Sequence, residues 1–172
     1  MTFLQNCIAE NKRDQALEYI HQICTDIDNS CVIKYCKNEA LNLILSSYAD
    51  QAKESGIDVR ISVTATNFTR FQITDLCSLF ANALENAIHA CEKIPTSEKR
   101  YITLKVFEKN DRICINIANN YIQNPVFENE IPTSREANHG IGVRSMISVV
   151  EKYHGVYGFF TENKEFRFQA SL

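Results

Sequence analysis

Four polar side chains between residues 74 and 91 have the types and the spacing that a magnesium or phosphate site requires. Asn82, Glu85, Asn86 and His89 follow one another at intervals of three, one and three residues, which brings them to one face of a helix. Asparagine is a mediocre helix former, so helix propensity does not explain two of them in one helix interior. Amide and carboxylate oxygens suit Mg²⁺, which keeps part of its water and bridges to substrate phosphates. This face therefore predicts a site for a magnesium nucleotide, with an ordinary solvated helix face as the alternative.

A second group of candidate residues is the segment 138–143, with the sequence Asn-His-Gly-Ile-Gly-Val. We expect it at the start of the last helix, where free backbone N–H groups and the helix dipole favour anions. Gly140 and Gly142 would let a phosphate approach the backbone, although glycines also occur at ordinary helix entries. The chain has no P-loop lysine motif, and this Gly-X-Gly does not follow the first strand of a βαβ unit, which argues against Walker-type and Rossmann folds.

Three amphipathic helices are predicted in the body of the chain from apolar residues at helical spacing. They cover residues 38–55, 74–91 and 143–153. We expect Thr74 or Asp75 to be the N-cap of the second helix, because short polar side chains accept bonds from the first backbone N–H groups. Gly56 and Gly155 are expected to end the first and third helices. The second helix carries the first group of candidate residues, and the third begins at the second group.

Strands are predicted where apolar and polar residues alternate with a period of two. The buried positions of three such strands are Val59, Ile61, Val63, Ile102, Leu104, Val106, Ile113, Ile115 and Ile117. A turn at 109–111 joins the second and third as an antiparallel pair, and two aromatic-rich strands flank residues 161–164. Residues 120–139 show neither period and contain Pro125 and Pro132, which predicts a long loop without regular structure that acts as a functional lid.

Residues 1–33 are predicted to form a separate helical hairpin. The apolar positions of its second helix repeat at intervals of three, four and three residues, at Leu17, Ile20, Cys24 and Ile27. This is the spacing of a coiled-coil seam, and a second copy of the chain would bury it. We therefore predict a homodimer through these N-terminal helices and a separate domain over residues 34–172.

The composition limits the classes of function that fit the chain. Its 172 residues suit one ordinary domain with a short helical appendage. A formal net charge of -3 gives no broad basic surface, so nucleic acid is not an expected partner. No run of about 18 apolar residues occurs, so no membrane contact is expected from this chain. Seven cysteines, an odd number without a CxxC pair, are typical of reduced thiols in the cytoplasm.

These features together resemble the GHKL superfamily of gyrase, heat-shock chaperone, histidine kinase and mismatch-repair ATPases. The segment 82–90, Asn-Ala-Leu-Glu-Asn-Ala-Ile-His-Ala, is similar to the N box of that superfamily, and residues 139–142, His-Gly-Ile-Gly, are similar to its second glycine box. Thr133-Ser134-Arg135 precedes the glycine box, which resembles the peptide-pheromone and citrate-sensor branch of the sensor kinases. The resemblance implies an α+β fold, a two-layer α/β sandwich of the Bergerat type, with an N-terminal hairpin left from the dimerisation domain.

The resemblance also implies a role for each candidate residue. Asn86 would coordinate Mg²⁺, and Asn82 would contact phosphate or the metal's water. Glu85 is a secondary candidate for a base. Further nucleotide contacts would come from His89, Thr133, Ser134, Arg135, His139, Gly140, Ile141 and Gly142. ATP and Mg²⁺ are therefore the implied cofactors.

The sequence departs from the superfamily at the first glycine box, where an Asp followed by Gly-X-Gly contacts adenine. This chain has Ile-Ala-Asn-Asn at 117–120. Asn119 aligns with the missing Asp, and its amide oxygen would accept a hydrogen bond from the adenine amino group without charge assistance. We therefore expect weaker nucleotide binding, with a simple strand-end turn as the alternative interpretation.

The function implied by the resemblance is that of the cytoplasmic catalytic domain of a two-component sensor histidine kinase with a membrane-anchored parent. Such a domain binds Mg-ATP and transfers the γ-phosphoryl group to a histidine of a dimerisation helix, and a response regulator is its downstream partner. The acceptor is expected to be missing, because residues 3–10 contain no histidine and His21 is followed by Gln22 rather than by an acid. The fragment would then not phosphorylate itself. The alternative is a degenerate module for dimerisation or partner docking, with weak or no ATP binding.

Overall fold

The computed structural model describes residues 33–133 and 141–172, and Lys34–Leu172 belong to one compact unit. The predicted hairpin over residues 1–33 lies outside the described residues, apart from Ile33. So do four candidate site residues, namely Ser134, Arg135, His139 and Gly140. The helices are α1 (Glu39–Glu54), α2 (Ile73–Glu92) and α3 (Ile141–Lys152). The strands are β1 (Asp58–Val63), β2 (Tyr101–Lys109), β3 (Arg112–Asn120), β4 (Val126–Glu128), β5 (Ile131–Thr133), β6 (Val156–Glu162) and β7 (Glu165–Ser171).

Five of these strands form one mixed sheet in the order β1-β2-β3-β7-β6. Strands β1 and β2 are parallel, and the connection between them contains helix α2. The other neighbouring strands are antiparallel. The turn between β2 and β3 has two residues, Asn110 and Asp111, at φ 51° and 57°. Two consecutive left-handed residues match the twist of a tight hairpin. The predicted turn and antiparallel pair are therefore confirmed.

The three helices lie on one face of the sheet. The buried positions of β2 and β3 that face them are Ile102, Leu104, Val106, Ile113, Ile115 and Ile117. The residues between these positions are mostly half-buried or exposed on the other face of the sheet. The prediction of an α+β fold with one layer of helices on one sheet is confirmed. None of the described helices is long and apolar enough to cross a membrane.

The connection after β3 contains regular structure that the sequence pattern did not reveal. Strands β4 and β5 form a small two-stranded sheet, with a two-residue turn at Asn129 and Glu130, which have φ 50° and 65°. The prediction that residues 120–139 lack regular structure is therefore wrong for this hairpin. A three-residue strand is too short to show alternation, and Pro132 is tolerated because an edge strand does not need every backbone N–H.

Two of the predicted helix ends differ from the structure. Gln72 is the N-cap of α2 and makes no side-chain capping bond, so the prediction of Thr74 or Asp75 is wrong. The carboxylate of Asp75 instead accepts hydrogen bonds from Lys152, the last residue of α3, and from Tyr153, which follows it. At the end of α1, Gly56 has φ 71°, the left-handed conformation that favours glycine after a helix, as predicted.

The end of α3 uses a glycine for a different reason from the one predicted. His154 takes the left-handed conformation, with φ 52°. A Cβ added to Gly155 would lie 2.6 Å from the backbone oxygen of Ser171. Gly155 therefore permits the close approach of the chain to β7, while His154 supplies the turn.

Candidate functional site

A cavity of about 490 Å³ lies between α2, the sheet, α3 and the connection from β3 to β5. Its helical walls consist of Ala83, Asn86, Ala87, His89, Ala90, Lys93, Val143 and Met146. Its sheet wall consists of Ile117, Asn119, Phe159, Phe166 and Phe168. Its outer rim consists of Tyr121, Gln123, Asn124, Pro125, Val126, Pro132 and Thr133. A mostly apolar cleft of this size with a few polar groups is the usual form of a small-molecule site.

Asn86 is the amide of α2 that lines this cavity. Its side-chain Nδ2 lies 3.9 Å from the sulfur of Met146 on α3. Its Oδ1 accepts no hydrogen bond from any residue in the described ranges. A partly buried carbonyl oxygen that has no partner among the described residues and lies at a cavity wall is a suitable ligand for a hard cation.

Two further polar residues of α2 line the same wall. His89 lies about one turn beyond Asn86, and Lys93 is the C-cap of the helix. Lys93 is exposed at the cavity and adds a positive charge there. His89 is predicted from the spacing of α2, whereas Lys93 carries no such signal, because a lysine at the end of a helix is commonly explained by the helix dipole alone.

Asn119 is the one buried polar residue in the part of the chain that the structure describes, with 2% of its surface exposed. Its Nδ2 donates to the backbone oxygen of Asn120 at 2.9 Å. Among the described residues, no buried side-chain nitrogen or oxygen lacks a hydrogen-bond partner. Asn119 lines the cavity, and none of the described residues donates a hydrogen bond to its Oδ1. The side chain therefore presents a hydrogen-bond acceptor to a ligand.

The neighbouring Asn120 fixes this end of β3. Its Oδ1 accepts from the backbone nitrogen of Tyr101 at 2.9 Å, and its Nδ2 donates to the backbone oxygen of Lys99 at 2.7 Å. Both bonds hold β3 against the start of β2. The backbone oxygen that orients Asn119 is therefore itself held in place.

Three phenylalanines of β6 and β7 form an aromatic wall. The ring centroid of Phe159 lies 5.1 Å from that of Phe168 and 6.1 Å from that of Phe166. Phe166 and Phe168 alternate along β7 and so face the same side as Asn119, which pairs with Phe166. The spacing of Phe166 and Phe168 indicates that they share one face of a strand. It does not indicate that this face lines a cavity, so the aromatic wall was not predicted from the sequence. Such a wall suits a flat aromatic ligand.

The remaining described candidates are Thr133, at the end of β5, and the residues of the second candidate group at the start of α3. Thr133 lines the cavity, and its hydroxyl lies 3.4 Å from the backbone oxygen of Val126. Ile141 has 71% of its surface exposed. A Cβ added to Gly142 would lie 3.0 Å from Oδ1 of Asn82, so the glycine permits close contact between α3 and α2.

Four of the described candidate residues do not line the cavity, namely Asn82, Glu85, Ile141 and Gly142. Asn82 donates from Nδ2 to the backbone oxygen of Ser78 at 2.7 Å and lies close to α3. Glu85 is exposed. Partial burial raises the pKa of Tyr48 on α1, and the negative charge of Glu85 raises that pKa further. Helical spacing places Asn82, Glu85, Asn86 and His89 on one broad face of α2. Of these four residues, only Asn86 and His89 line the cavity.

A polar contact ties the start of α2 to the end of α3. Asp75 Oδ2 accepts from Nζ of Lys152 at 2.7 Å and from the hydroxyl of Tyr153 at 2.5 Å. These bonds hold the pKa of Asp75 below its usual value, with Lys152 as the largest cause. The tie fixes the relative position of the two helices that form the cavity walls.

Comparison with known proteins gives one family and one fold. A family model described as the GHKL domain matches residues 71–172. No curated protein matches the chain in sequence. The matched range contains α2, α3 and strands β2 to β7, and therefore all the residues that line the cavity.

Solved structures with a similar fold include several histidine kinases. The catalytic domain of histidine kinase ThkA aligns with a TM-score of 0.62 at 14% identity, covering 78% of this chain and 91% of that one. The Acinetobacter baumannii histidine kinase AdeS aligns with a TM-score of 0.59 at 8% identity, covering 100% and 85%. The blue-light-activated histidine kinase of Erythrobacter litoralis aligns with a TM-score of 0.58 at 12% identity, covering 77% and 40%. At identities this low the similarity concerns the fold.

Proposed function

Because the chain belongs to the GHKL domain family, we propose that it binds Mg-ATP and transfers the γ-phosphoryl group to a histidine. The observation that carries this proposal is the pair of asparagines on two walls of one cavity. Asn86 offers from α2 an amide oxygen that no described residue bonds, and Asn119 offers a buried acceptor from β3. Lys93 adds a positive charge at the same cavity. Two separated polar groups and an aromatic wall suit a ligand with a flat base at one end and phosphates at the other.

Asn86 is the residue we assign to the metal. One amide oxygen is a partial ligand set, which suits Mg²⁺ because this ion usually takes most of its ligands from water and phosphates. When bound, the ion would neutralise phosphate charge. The protein's part is to hold the Asn86 oxygen in the cavity, and the contact of its Nδ2 with Met146 supports that orientation.

Asn119 is the residue we assign to the adenine. Its Oδ1 would accept a hydrogen bond from the exocyclic amino group, while the three phenylalanines would contact the ring. A neutral amide acceptor forms a weaker bond than a carboxylate. We therefore propose modest affinity for ATP.

The transfer itself requires an acceptor histidine in line with the γ-phosphate. A bond forms between an imidazole nitrogen and phosphorus, the bond from phosphorus to the β–γ bridging oxygen breaks, and ADP leaves. The imidazole loses its proton to solvent. Positioning and charge neutralisation supply most of the rate enhancement in such reactions. Under this proposal the chain acts in the cytoplasm, forms a homodimer through residues 1–33, and serves a response regulator.

Incubation with γ-labelled ATP tests this proposal on two chains. The present chain should remain unlabelled, because we expect its sequence to lack the acceptor. A longer chain, extended upstream to include a dimerisation helix with its histidine, should acquire acid-labile label. Absence of label on the longer chain would contradict phosphoryl transfer. Near-stoichiometric label on the present chain, lost in His21→Gln, would identify His21 as the acceptor and contradict the missing-acceptor argument.

A further inference from the structure

A polar cluster joins α2 to the first turns of α3 beside the cavity. The hydroxyls of Ser78 and Ser145 lie 3.3 Å apart, and Nδ2 of Asn82 lies 3.3 Å from Ser78 Oγ and 3.4 Å from Ser145 Oγ. The same Nδ2 donates to the backbone oxygen of Ser78 at 2.7 Å. All three side chains are half-buried. The cluster thus links two helices through hydrogen bonds that solvent only partly reaches.

The contact between the helices is tight at the same place. A Cβ on Gly142 would lie 3.0 Å from Oδ1 and 3.6 Å from Cγ of Asn82. The 3.0 Å distance is shorter than most real Cβ contacts, so a side chain at this position would require the Asn82 amide to shift by a few tenths of an ångström. The hydrogen bonds of Nδ2 hold the Asn82 side chain where it meets Gly142.

Asn82 and Asn86 therefore have different surroundings, although they lie one helical turn apart. Asn86 lines the cavity, whereas Asn82 does not. The donor group of Asn82 is used within the cluster, and its oxygen lies against Gly142. This placement gives Asn82 a task between the helices rather than on the ligand.

We propose that Ser78, Asn82 and Ser145 are positioning residues that hold the start of α3 in the place required to bind phosphate. This inference rests on the proposed function, because the resemblance to the GHKL superfamily implies that the backbone of Ile141 and Gly142 contacts the phosphate chain of ATP. Backbone N–H groups at a helix start bind an anion well only when they converge on it. The cluster fixes their direction from a neighbouring helix without touching the nucleotide.

The test compares Ser145→Ala with Ser145→Thr and a matched control. Ser148→Ala is the control, since Ser148 is exposed on the same helix and makes no described hydrogen bond. Binding of a non-hydrolysable ATP analogue and of adenosine is measured for each variant. Hydrogen exchange of the amides at residues 142–145 is measured on the same proteins without nucleotide.

We expect Ser145→Ala to weaken binding of the ATP analogue by about fivefold, which is the effect of losing one neutral hydrogen bond. Binding of adenosine should be unchanged. Its amides at 142–145 should exchange faster, and Ser145→Thr should restore both properties. The proposal would be overturned if Ser145→Ala lost as much affinity for adenosine as for the ATP analogue. It would also be overturned if the affinity and amide exchange rates of Ser145→Ala equalled those of Ser148→Ala. A parent chain that binds no ATP analogue would overturn the proposed function instead, and the exchange rates alone would then decide whether the cluster holds α3.

Discussion

At the scale of single residues, Asn119 differs most from what the sequence pattern indicates. It was identified only by its alignment with a family aspartate, and a simple turn was the alternative. Position 119 continues the buried face of Ile113, Ile115 and Ile117 and pairs with Phe166 of β7, but an asparagine at the end of an apolar run does not by itself indicate burial. Asn86 and His89 were found from spacing, whereas Asn82 and Glu85 were not separated from them. Spacing defines a helix face but not which part of that face a cavity uses.

The bond between Asn119 and Asn120 leads to a prediction for Asn119→Asp. The substitution restores the family residue, but it replaces the donor Nδ2 with an oxygen that faces the backbone oxygen of Asn120. We expect the free energy of unfolding to fall by roughly 1–3 kcal/mol, because a buried hydrogen bond is lost. Urea denaturation followed by circular dichroism measures this.

The matched control for that prediction is Asn116→Asp. Asn116 lies on the same strand but on the opposite face of the sheet, and it is half-buried. Its substitution should leave stability nearly unchanged. If Asn119→Asp is as stable as this control, the hydrogen bond to Asn120 does not orient the side chain.

At the scale of elements, the main strands and helices follow from the sequence because each is long enough to show its period. The sheet strands β2 and β3 alternate over nine residues, whereas β4 and β5 have three residues each and were missed. The N-cap of α2 was also missed. Asp75 suits a cap by residue type, but its bonds to Lys152 and Tyr153 depend on the packing of α2 against α3.

The hydrogen bonds from Lys152 and Tyr153 to Asp75 predict how the stability of the chain changes at acid pH. Its pKa is lower in the folded chain than the ordinary value of 3.8. The stabilisation is therefore fully present above that ordinary value and is lost as the pH falls through the lower folded pKa. We expect the parent chain to lose more stability below about pH 4 than Asp75→Asn does.

Thermal unfolding of both chains from pH 6 to pH 2.5 measures this difference. Asp58→Asn is a suitable control, because Asp58 has 45% of its side chain exposed and its one ion pair within the described ranges is with Arg60 on its own strand. Parallel pH curves for the parent and Asp75→Asn would show that the tie contributes no stability.

At the scale of the whole molecule, the predicted dimer concerns residues 1–33, outside the described part of the chain. Leu17→Asp or Ile20→Asp should weaken self-association, because the substitution places a charge in the predicted apolar seam. Sedimentation velocity over a range of concentrations measures the effect. Leu43→Asp is the control, since Leu43 on α1 is 69% exposed. A seam variant that sediments like the Leu43 control would contradict the dimer.

We propose that the cavity between α2 and the sheet holds a magnesium nucleotide. Titration calorimetry with a non-hydrolysable ATP analogue, with and without Mg²⁺, tests it most directly on the parent chain and on Asn86→Ala. We predict that Mg²⁺ tightens binding to the parent, and that Asn86→Ala binds about tenfold more weakly with Mg²⁺ while keeping its thermal stability. Asn116→Ala, on the opposite face of the sheet, should bind as the parent does. No binding to the parent, or equal Mg²⁺-dependent binding to Asn86→Ala, would contradict the assignment.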